Sequence, residues 1–143
     1  MAETQYDTDH IYYTSGYKYS QENKYVRMTG VKPKANIHTP FIDLFSDGRL
    51  TIKPGFASDG GSGPAVDTKA ATRGFFEHDA FYKLMRMSLL PLDYRKIVDK
   101  ELYKIHRKDG VSWLRANWIY AGVRIGGKSS TLPKNKKVVK VTP

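Results

Sequence analysis

The spacing of apolar residues changes once along the chain. Up to about residue 56 apolar and polar positions alternate, or β-branched and aromatic residues come in short runs; beyond residue 68 apolar positions recur every three or four residues. The first regime predicts short strands at Ile11-Tyr12-Tyr13, Gly16-Tyr17-Lys18-Tyr19 and Lys24-Tyr25-Val26-Arg27-Met28, separated by the turn formers Ser20-Gln21-Glu22-Asn23. A further extended run, Ile37 to Phe45, has Pro40 marking an edge or a strand end. Ser46-Asp47-Gly48 then reverses the chain into Arg49-Leu50-Thr51-Ile52-Lys53, and Pro54-Gly55-Phe56 ends the β portion.

The second regime predicts three helices. Asp67 or Thr68 caps the first, which runs to about Ser88 on a stripe of Ala71, Phe75, His78, Tyr82, Met85 and Leu89. Pro91 and Asp93 open the second, with Tyr94, Ile97, Val98, Leu102 and Ile105 facing inward, and it ends before Asp109-Gly110. The third carries Val111, Leu114, Trp118, Ala121 and Ile125 and closes at Gly126-Gly127. Short connections make such neighbours antiparallel. Gly74 costs about 1 kcal/mol inside a helix, so another backbone is expected to approach there. The resulting fold class is α+β: one domain over 1–127, with a loose arm at 1–10, a small antiparallel sheet within 11–56, a glycine-rich loop and a helical portion at 68–125. A basic extended tail follows at 128–143.

The loop at the junction, Ser58-Asp59-Gly60-Gly61-Ser62-Gly63-Pro64, cannot be regular helix or strand. It feeds Glu77-His78-Asp79-Ala80-Phe81-Tyr82, in which His78 and Tyr82 share the inward stripe one turn apart and Asp79 lies on the neighbouring row. Asp99 stands at the edge of the facing stripe. In this arrangement His78 is a candidate general base toward water, and Asp99 can accept its other ring N–H and fix the tautomer. Asp79, with backbone oxygens of Asp59, Gly60, Gly61 and Gly63, offers the oxygen-rich cage that calcium prefers, where a cation would polarise an ester carbonyl. The same residues also fit a buried hydrogen-bond cluster that only holds loop to helices, with Arg95 and Asp99 as an ordinary helical ion pair.

Composition narrows the setting. A chain of 143 residues with 40% hydrophobic and 13% aromatic content is large enough to bury one core. It has no cysteine, so disulfides and thiolate metal sites are excluded. No apolar run reaches transmembrane length and no signal segment is visible, which predicts a protein made and kept in the cytoplasm. The net charge of +10 favours anionic partners: anionic lipid, an acidic protein surface or nucleic acid. The tail, with Lys134, Lys136, Lys137 and Lys140, is suited to docking on a partner. Nucleic acid ranks behind the other two, because tyrosines at alternate positions read as one face of a sheet before they read as base-stacking platforms. Gly126-Gly127-Lys128-Ser129 lacks the upstream glycine of a phosphate-binding loop, and zinc-protease and serine-elbow patterns are missing. His10, His38 and His106 are isolated and carry no assigned role.

Two resemblances attach to these residues. Residues 50–126 resemble a phage and prophage family catalogued as domain of unknown function thirteen fifty-three. The match runs through Gly55-Phe56, Asp59, Ser62 and Pro64, His78-Asp79 and Tyr82, Arg95 and Asp99, and Val123-Arg124 before Gly126. That likeness implies a phage-encoded protein, virion- or tail-associated after synthesis in the host cytoplasm. Its partners would be other virion or assembly proteins met through the basic tail and the sheet, and an oligomer is compatible. Residues 58–105 are more distantly similar to secretory and parvoviral phospholipase A2, through Gly60-Gly61-Ser62-Gly63-Pro64, His78-Asp79, Tyr82 and Asp99-Lys100-Glu101-Leu102. This second likeness implies a calcium-dependent hydrolase of lipid or cell-envelope esters, with His78 the base, Asp99 its partner, Tyr82 a supporting donor and Asp79 a calcium ligand. The alternative expectation is a non-enzymatic structural or assembly protein.

Overall fold

In the computed structural model, residues 13–14, 19–58 and 69–133 are described. The arm, the helix caps Asp67 and Thr68, the glycine loop from Asp59 and the tail from Lys134 lie outside the described residues. Strands β1 (Tyr13–Thr14), β2 (Tyr19–Gln21), β3 (Tyr25–Met28), β4 (Ile37–His38), β5 (Ile42–Leu44), β6 (Arg49–Ile52) and β7 (Ala57–Ser58) precede helices α1 (Lys69–Arg86), α2 (Arg95–Lys108) and α3 (Trp113–Gly126). The α+β expectation holds. The strands form two antiparallel sheets, one ordered β1-β2-β7 and the other β3-β6-β5-β4.

The larger sheet is built from the hairpins that the sequence suggests, with one division it did not. Gly48 sits at φ 97, and the backbone N–H of Thr29 donates to its carbonyl at 2.8 Å, so the Asp-Gly turn is tied to the end of β3. The run from Ile37 to Phe45 is two strands, not one. Pro40 falls in the turn between β4 and β5, where the Thr39 hydroxyl accepts from the Ile42 N–H at 2.8 Å and the Thr39 N–H donates to the Ile42 carbonyl at 2.9 Å. Ser20 and Gln21, read as a turn, belong to β2, and the β portion reaches Ser58, because Ala57–Ser58 pairs with Tyr19–Ser20. Two-residue strands are too short to show a period.

Helix α1 lies in the middle. Phe76, Ala80, Phe81, Leu84 and Met85 pack in one cluster with Tyr25, Ile42, Leu44, Leu50 and Ile52 of the sheet. Ala71 and Phe75 pack in a second with Leu102, Val111, Ala116 and Ile119 of the other helices. The helix is thus buried on two sides, and its stripe is wider than a one-sided helix requires. It ends two residues earlier than expected. Ser88 adopts φ 60, its N–H donates to the Met85 carbonyl and the Leu89 N–H donates to the Leu84 carbonyl, each at 2.9 Å, closing a Schellman cap that leaves Leu89 outside the core. Ile97, expected to face inward from α2, is also exposed.

Gly74 does permit a close approach, but of side chains rather than a backbone. A Cβ there would lie 2.5 Å from His106 Cδ2 and 2.9 Å from Ile105 Cγ2, both on α2. Gly74→Ala should therefore destabilise the protein by about 1–3 kcal/mol, overpacking outweighing the better helix propensity of alanine. Urea denaturation would check this, and an unchanged or higher midpoint would refute it.

The stripe expected to bury α3 points outward. Its buried residues are Ala116 and Ile119, whereas Leu114, Trp118 and Ile125 are exposed. Beyond α3, Lys128–Thr131 form a 3-10 turn, not an extended segment, with Thr131 buried and the Ser130 carbonyl accepting from Arg86 at 2.9 Å. Among the described residues no helix is long and apolar enough to cross a membrane.

Candidate active site

Three helices meet at one carboxylate. His78 and Tyr82 come from successive turns of α1, Asp99 from α2 and Arg124 from the last turn of α3. His78 Nε2 lies 2.7 Å from Asp99 Oδ1, and the Tyr82 hydroxyl donates to the same oxygen at 2.5 Å. Arg124 donates to Oδ2 at 2.8 Å. Arg95 stands 3.9 Å from Oδ2, donates to the Tyr82 hydroxyl at 3.3 Å and gives two further bonds, each 2.8 Å, to the carbonyls of Val123 and Arg124. Arg95 therefore does more than pair with Asp99 along α2: it also caps the end of α3.

Asp99 is 0% exposed. Burial alone would raise its carboxyl, but the bonds from His78 and Tyr82, with Arg124 beyond them, hold it below the usual carboxylate range. It is therefore an anion at neutral pH. Burial and the bond to Asp99 push the Tyr82 hydroxyl well above its ordinary value, so it remains a donor.

A carboxylate facing Nε2 fixes the tautomer, since an acceptor there requires that nitrogen to carry the hydrogen. The neutral ring then presents its lone pair at Nδ1, which makes no hydrogen bond among the described residues. The ring lies against that of Tyr82, centroids 4.0 Å apart, and His78 retains 9% exposure. A base held in one tautomer, with its second nitrogen making no bond among the described residues, is the arrangement that proton abstraction from water needs.

The metal half of the expectation fares differently. Asp79 lies off the cluster, with Arg86 at 3.8 Å from its carboxylate. Among the described residues, no three histidine, aspartate or glutamate side chains are grouped to hold a metal ion. The other proposed ligands, Asp59, Gly60, Gly61 and Gly63, lie outside the described residues. Of the expected calcium ligands, Asp79 is thus the one that falls within the described residues, and it stands beside a guanidinium.

A second buried cluster, which the apolar stripes gave no sign of, positions the first. Arg27 on β3 donates to both oxygens of Glu77, at 2.7 Å from Nε and 2.5 Å from the terminal nitrogen, and to Glu101 at 2.6 Å. Tyr25 adds a bond to Glu77 at 3.1 Å, and the backbone N–H of Gly30 adds one to Glu101 at 2.8 Å. Glu77 precedes His78 and Glu101 follows Asp99 by two residues, so one guanidinium on the sheet fixes the two helices that carry the dyad. Arg73 and Asp109, joined by bonds of 2.9 and 2.7 Å, clamp the other end of α1 to the close of α2. The Arg27 signal was present as a charged residue inside a short apolar strand, though its partners could not be read from spacing.

No protein-family model, no curated protein and no solved structure matches the chain.

Proposed function

We propose that this protein is a His-Asp hydrolase of phospholipase type, acting on carboxylic esters of lipid or cell envelope. One observation carries the reading: a histidine whose Nε2 is locked onto a buried, anionic Asp99 while Nδ1 makes no bond among the described residues. In the reaction, Nδ1 takes a proton from a water molecule as its oxygen adds to the ester carbonyl carbon. The imidazolium so formed sits against Asp99, which compensates its charge. The same proton then passes to the alkoxide as the carbon–oxygen bond breaks, which returns the ring to its starting form. Tyr82 and Arg124 hold the Asp99 carboxylate in position and are positioning residues. The proposed setting, a phage virion or tail with neighbouring structural proteins as partners, rests on the sequence resemblance alone.

A second reading is supported by the saturation of Asp99. His78, Tyr82 and Arg124 occupy both of its oxygens and join all three helices, as a purely structural node would. The two readings separate in one experiment: hydrolysis of ester and phospholipid substrates by wild type and His78→Gln, with and without calcium. The hydrolase reading expects wild-type turnover that His78→Gln loses while its unfolding midpoint stays within reach of wild type, since glutamine can still donate to Asp99. Equal activity in the two proteins, or none in either, leaves the structural node. A dependence on calcium would bring Asp79 and the glycine loop into the site.

A further inference from the structure

Helix α3 shows solvent the kind of face that helices normally bury. Leu114, Trp118, Ala121 and Ile125 are all exposed, and their spacing of four, three and four places them along one stripe, with the exposed Gly122 beside it. Leu114 is 73%, Trp118 52% and Ile125 86% exposed. A surface helix ordinarily turns charge outward. Here no charged residue lies on the stripe, Arg115 and Arg124 flank it on either side, and α3 contains no acidic residue. The neighbouring α2 exposes Lys96, Lys100, Lys104 and Arg107. A contiguous exposed apolar face of this kind marks an interaction surface.

Charge selects its occupant. A second copy docking through the same face would bring no acidic side chain from its own α3 to the basic residues around the stripe, since that helix contains none and Arg124 is already held by Asp99. The chain's own tail, with Lys134, Lys136, Lys137 and Lys140 and no acid, meets the same objection. An anionic bilayer complements both parts of the surface. Tryptophan favours the headgroup boundary, leucine and isoleucine enter the acyl region, and long basic side chains extend their charge to the phosphates while their stems stay apolar. We propose that α3 is the membrane-docking element of this protein, lying in the interface of an anionic bilayer with Leu114, Trp118 and Ile125 inserted. This does not require His78 to be catalytic.

The test uses the full chain, in its wild-type and His78→Gln forms, with vesicles of phosphatidylcholine alone or mixed with phosphatidylglycerol. Both forms should sediment with the mixed vesicles far more than with the neutral ones. Tryptophan emission should shift to the blue, and added salt should weaken the binding. Leu114→Gln and Trp118→Ser alter exposed positions and should keep the fold, yet each should weaken partitioning roughly tenfold. Phe41→Ser, an exposed apolar site on the sheet side, should leave it unchanged. Binding indifferent to Leu114 and Trp118, or absent on anionic vesicles, overturns the proposal. So does a dimer seen by light scattering that Trp118→Ser dissociates, which would assign the face to a second copy. Binding by both forms without hydrolysis would leave this inference standing and remove the catalytic one.

Discussion

Arg27→Ala should cost the fold about 3–5 kcal/mol, the range observed when one partner of a buried ion cluster is removed. Glu77 and Glu101 are almost wholly buried, and Arg27 is the cation that meets both. Burial alone would make the guanidinium easier to deprotonate, but its bonds to Glu77 and Glu101 more than reverse that, so Arg27 holds its charge at any accessible pH. Without Arg27 two carboxylates face each other in the interior. Their remaining described partners include the Tyr25 hydroxyl, the Gly30 amide, Lys104, 3.6 Å from Glu101 and largely solvated, and the charge of Arg73 near Glu77. For a domain of this size the loss corresponds to roughly 10–15 °C in melting temperature. Adding Glu77→Gln and Glu101→Gln to Arg27→Met should recover much of it, because the penalty is the uncompensated charge and not the missing contact. A single Arg27→Ala variant that melts within about 2 °C of wild type would show that the carboxylates are solvated.

This cluster also explains what could and could not be read from sequence. The His78, Tyr82 and Asp99 grouping was legible because a period of 3.6 fixes which residues share a helix face, and Asp99 stood at the edge of the opposing stripe. Glu77 was not legible for the same reason inverted. It lies outside the stripe, and only a helix covered on two sides buries such a position. The outward face of α3 shows a different limit: Leu114, Trp118 and Ile125 give the same periodic signal whether they meet a core or solvent. What decides is the partner surface, and here Ala116 and Ile119 fit it instead. Strand β7 failed on length, since its pairing with Tyr19 and Ser20 is a matter of tertiary geometry.

His106, to which spacing gave no role, should make the protein acid-sensitive in a window of its own. The ring is fully buried, Nε2 donates to the Ala71 carbonyl at 3.0 Å, Nδ1 has no hydrogen-bond partner among the described residues, and the Phe75 ring lies 4.9 Å away, edge to face. Burial, only partly opposed by the bond to Ala71, pushes its pKa from 6.5 down to about 4. Below pH 6.5 the unfolded chain therefore takes up a proton that the folded chain refuses, so stability falls as pH drops. The loss reaches about 3 kcal/mol near pH 4 and then stops growing. Asp99 acts in the opposite range. Its folded pKa lies below the ordinary 3.8, so its stabilisation is complete above that value and fades only as pH falls through the lower one. The measurement is urea denaturation between pH 7 and 4 on wild type and His106→Gln, whose amide can still donate to Ala71. The variant should be less stable at pH 7 but should lose markedly less between pH 6.5 and 4.5; parallel curves would mean that His106 is protonated in the folded state. Because Gly74 abuts the same ring, Gly74→Ala and His106→Gln should not be additive, the smaller side chain relieving part of the clash that alanine creates.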